Sequence, residues 1–154
     1  MKTIILGIGN PILKNDGVGI HVAEELRKQI NRPDVTIDKA YTGGMNLLDM
    51  IVDHDRAILI DAVKLADRKP GDVDLLPINE LSAFHTCNPH DVSLPQAINL
   101  AKKLGEDRIP DNISLVGINI GELSCEFGEE LSSEIAKAVP KAVEMVKKEV
   151  EFDE

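Results

Sequence analysis

This chain of 154 residues has no tryptophan, one tyrosine and three phenylalanines. With 3% aromatic residues it lacks the side chains of a base-stacking platform. Positive charge is also scarce: 17 Lys and Arg stand against 27 Asp and Glu, a formal net charge of -10, and no Lys/Arg cluster interrupts the balance. A nucleic-acid backbone or an anionic membrane would be repelled, so neither is expected as a partner, and a neutral or basic polypeptide fits better. No run approaches the roughly 20 apolar residues of a membrane span. The opening MKTIILGIGN lacks a small-residue cleavage site, so no signal peptide is expected and a cytoplasmic location is the simple reading. Cys87 and Cys125 are the two cysteines, without CxxC spacing, and a structural disulfide is not expected of them. Repeats, low-complexity tracts and long linkers are missing too.

What is present is 43% hydrophobic content, enough for one substantial core, and a single domain over 1–154 is expected. Short apolar runs alternate with helical periods. TIILGI (3–8) lacks polar alternation, as a strand covered on both faces would. Val18, Val22, Leu26 and Ile30 then recur every four residues and predict an amphipathic helix ending near NRPD. VTIDKAY (35–41) alternates like a strand nearer an edge, GGMNLLDMIVDH (43–54) gives a turn and short helix, and AILID (57–61) is a buried strand ending in a carboxylate. The charged loop KLADRKPGD (64–72) precedes a strand, VDLLPI (73–78). SLPQAINLAKKL reads as a helix with Ser93 as cap, Pro95 in its first turn and Gln96 completing a capping box. ISLVGINI (113–120) is the last strand. From Ser132 a helical face of Ile135, Val139, Val143, Val146 and Val150 follows, which Pro140 should kink or interrupt. The alternation predicts an α/β fold: a three-layer α/β/α domain with a mostly parallel, twisted sheet of about five strands. Ligands in such sheets sit beyond the carboxyl ends of the strands, where strand order reverses.

GIGNPILKNDGVG (7–19) joins the first strand to the first helix. A dinucleotide fingerprint needs glycine at the first, third and sixth positions, and counting from Gly7 the sixth is Ile12. No Gly-Lys-Ser/Thr completes a P-loop either, and Asp16 would repel phosphate. Asp16 is left with two readings, a helix N-cap before Gly17 or a functional acid. Asp61 ends an apolar strand, where an unpaired carboxylate costs several kcal/mol. A backbone cap, a salt bridge with Lys64 or a metal would each compensate it. His90, in CNPHDVSL, falls on a loop before a helix and is a solvated side chain or a ligand. Asp16, Asp61 and His90 occupy three strand-to-helix connections that this topology would gather at one edge. Two carboxylates and an imidazole suit a borderline divalent metal and leave coordination positions open. HTCNPH offers His85, Cys87 and His90 as a rival zinc cluster, but no second cluster supplies the remaining ligand. A Cys87–His90 thiol-imidazole pair is less favoured, since such partners are normally distant in sequence. No GxSxG marks a serine nucleophile.

With these residues assembled, the sequence resembles the hydrogenase maturation proteases, which trim the C-terminus of the large subunit of nickel-iron hydrogenases. GIGNPILKNDGVG resembles the family's N-terminal signature, with Asn15 where many relatives have the first Asp of a pair. YTGG, ILIDA, NPHDVSL, VGINIGEL and AVPKAVEMV are similar to later family segments, in order over nearly the whole chain. The resemblance implies an endopeptidase acting on a large-subunit precursor, with Asp16, Asp61 and His90 as metal-contacting and catalytic positions. It implies that the metal is nickel already installed in that precursor, and that Gly43 and Gly44 are weak substrate-contact candidates. A non-enzymatic nickel chaperone or precursor-holding factor with the same ligands is the alternative. A monomer is expected, because no long exposed apolar face is evident.

Overall fold

AILID is the centre of a longer strand, β3 (Arg56–Val63), buried at all 8 of its residues. The computed structural model describes residues 1–10, 12, 14–41, 44–65, 67–76, 94–121, 128 and 130–151, with 44 and 45 described through their backbone alone. β3 lies between β1 (Thr3–Ile8) and β5 (Asn112–Asn119). β2 (Val35–Ala40) flanks β1, β4 (Val73–Leu76) flanks β5, and the order is β2-β1-β3-β5-β4. Every pairing is parallel except that of β4 with β5. The expected mostly parallel five-stranded sheet is therefore observed, with β2 at the edge its alternation suggested.

Helices cover both faces. Along β3, Ile58, Ile60 and Ala62 pack toward α1 (Val18–Gln29) and α4 (Ser133–Glu151). Ala57, Leu59 and Val63 pack toward α2 (Gly44–Ile51) and α3 (Leu94–Lys103). The side-chain period of two puts Asp61 on the second face, in line with Leu59 and Val63. Burial on both sides explains why β1 and β3 read as continuous apolar runs rather than alternating ones.

Two expectations need correction. Asp61 does not end its strand: pairing with β5 continues through Asp61↔Gly117 to Val63↔Asn119, so the carboxylate stands within the strand. Pro140 does not interrupt the last helix, because α4 runs unbroken through it. Pro140 and Ala136 are exposed, so the carbonyl that loses its partner faces water, while Ala138, Ala142 and Val143 keep the helix on the sheet. The far end of α4 is pinned by buried Arg56, which donates to the Glu149 carbonyl at 2.9 Å and to its carboxylate at 2.6 Å. The Ser93 cap of α3 lies outside the described residues.

Chain order creates one special place. After β1 the chain moves outward to β2 and then returns to β3 on the other side of β1, so strand order reverses between β1 and β3. The pairing of β1 with β3 stops at Gly7↔Ile60, while β1 stays with β2 as far as Ile8↔Ala40. The sheet thus parts beside Asp61. Over this split lies the first turn of α1, brought close by glycine. A Cβ on Gly7 would run into the Gly19 carbonyl, and one on Gly19 would strike the carbonyl oxygens of Ile60 and Ile8. These are backbone atoms that cannot swing aside. Gly19→Ala is expected to lose about 1–3 kcal/mol of stability, the usual cost of overpacking a tight contact. Urea unfolding measures it, and an unchanged midpoint would show that the helix is not seated this closely.

Candidate functional site

Asp16 reaches the split from the β1 side. Beyond β1, Gly9 turns the chain at φ 152, and its missing Cβ leaves room for the Asp16 carbonyl. Asn10 makes an Asx turn, its side-chain oxygen accepting the Ile12 N–H at 3.2 Å. One 3-10 turn (Lys14–Gly17) then carries Asp16 against β3 and leads into α1. The N-cap reading of Asp16 is overturned: Gly17 occupies that position and α1 has no side-chain cap. The carboxylate turns back instead, with Oδ2 accepting the Asn10 N–H at 2.9 Å. Its Oδ1 is buried without a hydrogen-bond partner among the described residues.

Asp61 meets it from β3. It is fully buried, at 0% exposure against 2% for Asp16, and its Oδ1 accepts the Ala62 N–H at 2.8 Å. Burial raises the Asp16 carboxyl from 3.8 to about 6, opposed by the Asn10 N–H. Burial also raises Asp61 well above the usual carboxylate range, and the charge of Asp16 raises it further, against the Ala62 N–H. Both acids are therefore buried, and Asp61 feels the charge of Asp16. An arrangement of this kind either holds a proton between its members or welcomes a cation. Ionising both places two negative charges in buried positions, which is costly.

The other site residues proposed from sequence divide differently. His90 and Gly43 lie outside the described residues, as do His85, Cys87 and Cys125. Gly44 is the first residue of α2, just beyond β2, whose Ala40 carbonyl accepts the Gly9 N–H at 3.1 Å. Among the described residues no group of three or more His, Cys, Asp and Glu is placed to hold a metal, and the carboxylate pair alone is an incomplete ligand set. Likewise no helix among them is long and apolar enough to cross a membrane. Sequence reasoning gave Asn10 no role, although Asn-Pro at 10–11 is a turn signal that marks it. It also missed Asn119, buried at the end of β5, whose side chain accepts the Leu65 N–H at 2.9 Å and donates to the Arg68 carbonyl at 3.0 Å. That clamp holds the charged segment after β3 at the edge of the sheet where Asp61 lies.

A sequence family described as hydrogenase maturation protease, HycI, matches residues 20–149. The chain belongs to the hydrogenase maturation proteases. The Hydrogenase 2 maturation protease of Escherichia coli K12 is 29% identical over 149 residues, covering 95% of this chain and 88% of its own. HupD, a hydrogenase expression/formation protein of Rhizobium leguminosarum, is 26% identical over 93% of this chain and 71% of its own. Among solved structures, the hydrogenase maturating endopeptidase HybD from E. coli superposes with a TM-score of 0.81 at 25% identity, over 99% of this chain and 94% of that one. The [NiFe] hydrogenase maturation protease HybD from Thermococcus kodakarensis gives a TM-score of 0.66 at 27% identity, over 96% and 98% of the two chains. The family match begins just after Asp16 and includes Asp61 and His90.

The raised Asp16 pKa has a consequence for stability. A carboxyl that binds its proton more tightly folded than unfolded contributes stability present below about pH 4 and lost as pH rises through about 6. Asp16→Asn removes that loss. The variant is expected to gain on the parent protein between pH 4 and pH 7 by about 2–3 kcal/mol. Urea unfolding at the two pH values reads the gain, and a constant difference between variant and parent would contradict the buried, uncompensated carboxylate.

Proposed function

We propose that this hydrogenase maturation protease removes the C-terminal extension of a nickel-iron hydrogenase large-subunit precursor once nickel is in place, and that Asp16 and Asp61, with His90, grip the nickel the precursor carries. The observation that carries the reading is the carboxylate pair at the parting of β1 and β3, with Asp16 Oδ1 buried and without a hydrogen-bond partner among the described residues. Two buried acids, one of which feels the other's charge, gain from a divalent ion, which replaces repulsion by attraction to a shared charge. Oxygen donors with one imidazole and no thiolate make a site of moderate strength, suited to an ion whose other ligands belong to the substrate. Asp16 and Asp61 would then be the two oxygen donors and His90 the nitrogen donor.

Held by Asp16, Asp61 and His90, nickel would supply Lewis-acid chemistry, polarising the scissile carbonyl or lowering the pKa of an attacking water. The chain's own part is to hold the ion. The Asn10 and Ala62 N–H groups fix one oxygen of each carboxylate. Asp16, the less strongly perturbed of the two acids, is the candidate to accept a proton during hydrolysis. The arrangement also acts as a checkpoint, because a precursor without nickel lacks the ion that docks its tail.

Purified precursor, with and without nickel, incubated with this protein tests the reading, with mass spectrometry reporting the C-terminus. Trimming is expected of the nickel-loaded form alone. Asp16→Asn, Asp61→Asn and His90→Ala are each expected to slow it about 100-fold or more, the several kcal/mol of charge stabilisation that a coordinated ion supplies. Equal trimming of nickel-free precursor would overturn the checkpoint, and full activity in all three variants would overturn the site. An intact C-terminus throughout would favour a holding factor over a protease.

A further inference from the structure

Asp16 rides on a single 3-10 turn, an element with poor hydrogen-bond geometry and little stability of its own. Lys14 within it adopts φ 47, the left-handed region that costs a side-chain-bearing residue about 1–2 kcal/mol. Something outside the turn must hold it. Beside the Asn10 N–H on Asp16 and the packing on β3 and α1, hydrogen bonds from the segment leading into α4 do so. The Lys14 N–H donates to the Gly128 carbonyl at 2.8 Å, and the Gly128 N–H donates to the Ile12 carbonyl at 2.7 Å. One residue before Asp16, the Asn15 side chain accepts the Ser132 N–H at 2.9 Å and donates to the Ser132 hydroxyl at 3.3 Å, across 117 positions of sequence. Ser132 is itself anchored, since its carbonyl accepts the Ala136 N–H at 2.8 Å to begin α4, and Ile135 and Ala138 bury that helix in the core.

We infer that Asn15 is a positioning residue: its carboxamide, tied twice to Ser132, fixes the 3-10 turn to the start of α4 and thereby sets the aim of the Asp16 carboxylate at the substrate. The carboxamide suits both ends of this link, because its oxygen takes the backbone N–H while its nitrogen serves the hydroxyl. An aspartate at 15 would keep the link by a different route, accepting from both the Ser132 N–H and its O–H. Alanine keeps neither bond. A shift of about 1 Å in a group that must meet a reacting centre costs on the order of 100-fold in rate, so loosening this brace acts on catalysis without touching substrate.

The inference rests on Asp16 acting on the precursor, and its test separates the two ideas. Asn15→Ala, Asn15→Asp, Ser132→Ala and Asp16→Asn are compared for trimming of nickel-loaded precursor and for amide hydrogen exchange of the full chain. Asn15→Ala is expected to speed exchange across 12–17 and 130–133 and to slow trimming about 10- to 100-fold. Asn15→Asp is expected to restore both to within a few-fold of the parent. Ser132→Ala, which removes the hydroxyl but keeps the N–H, gives a smaller change in the same direction and serves if Asn15→Ala fails to fold. Full trimming by Asn15→Ala beside an inactive Asp16→Asn overturns this inference alone, as does slow trimming with exchange unchanged. Normal trimming by Asp16→Asn overturns the proposed function, and this inference with it.

Discussion

Repulsion between two buried carboxylates is the constraint on which the rest of the site depends. Burial alone raises each acid, and the charge of Asp16 adds to the cost of ionising Asp61. A fold built for stability would place aliphatic side chains at both positions, as it does at Leu59 and Val63 on the same face of β3. Keeping Asp61 from solvent requires a rigid frame around β3. That frame is the tight seating of α1 on the strands, where Gly7 and Gly19 let backbone approach backbone. The glycines that gave the first loop the look of a cofactor fingerprint serve this seating, and Gly9 makes room for the Asp16 carbonyl.

The position of the pair follows from topology. Neighbouring parallel strands normally keep their carboxyl ends together, leaving little space between them. Here β1 leaves β3 after Gly7 but stays with β2 to Ile8, because consecutive crossovers run to opposite sides of β1. The crevice so formed is the general ligand address of open α/β sheets. Asp61 faces it from within a strand and Asp16 from the loop that follows β1, so two elements far apart in sequence supply one donor each.

Much of this was legible in the sequence wherever a local pattern encodes it. The apolar runs of β1, β3 and β5 and the four-residue period of α1 reflect burial, and burial leaves a periodic trace. Asp61 was conspicuous because a carboxylate in such a run has few innocent explanations. Its place within the strand was not legible: the last pair with β1 and the last pair with β5 fall at different residues, a fact of pairing rather than of local composition. Asp16 kept a helix-cap reading beside the functional one because Asp is a favoured cap, and one 3-10 turn was enough to move the cap to Gly17. Pro140 carried a general rule about helices, and exposure of its face decided the outcome. Least legible was Asn15, whose partner Ser132 is 117 residues away. A hydrogen bond of that span leaves no periodicity, and only the fold makes the two residues neighbours.

The same dependence on distant partners separates the two acids in kind. Asp61 sits in a strand buried at every residue, paired with β5 on one side and with covered faces above and below, so its backbone moves only if the core moves. Asp16 stands on one 3-10 turn braced by hydrogen bonds from the segment before α4. Under the proposed function this difference has a use. A fixed donor defines where an incoming ion must lie, while a donor on a lightly held turn adapts to its approach and is locked by it. Binding energy spent on ordering the Asp16 turn is unavailable for holding the ion, which keeps the grip moderate and lets a trimmed product leave with its nickel. On that same reading, stiffening the turn beyond the two hydrogen bonds from Asn15 to Ser132 would strengthen the hold on the ion and slow its release.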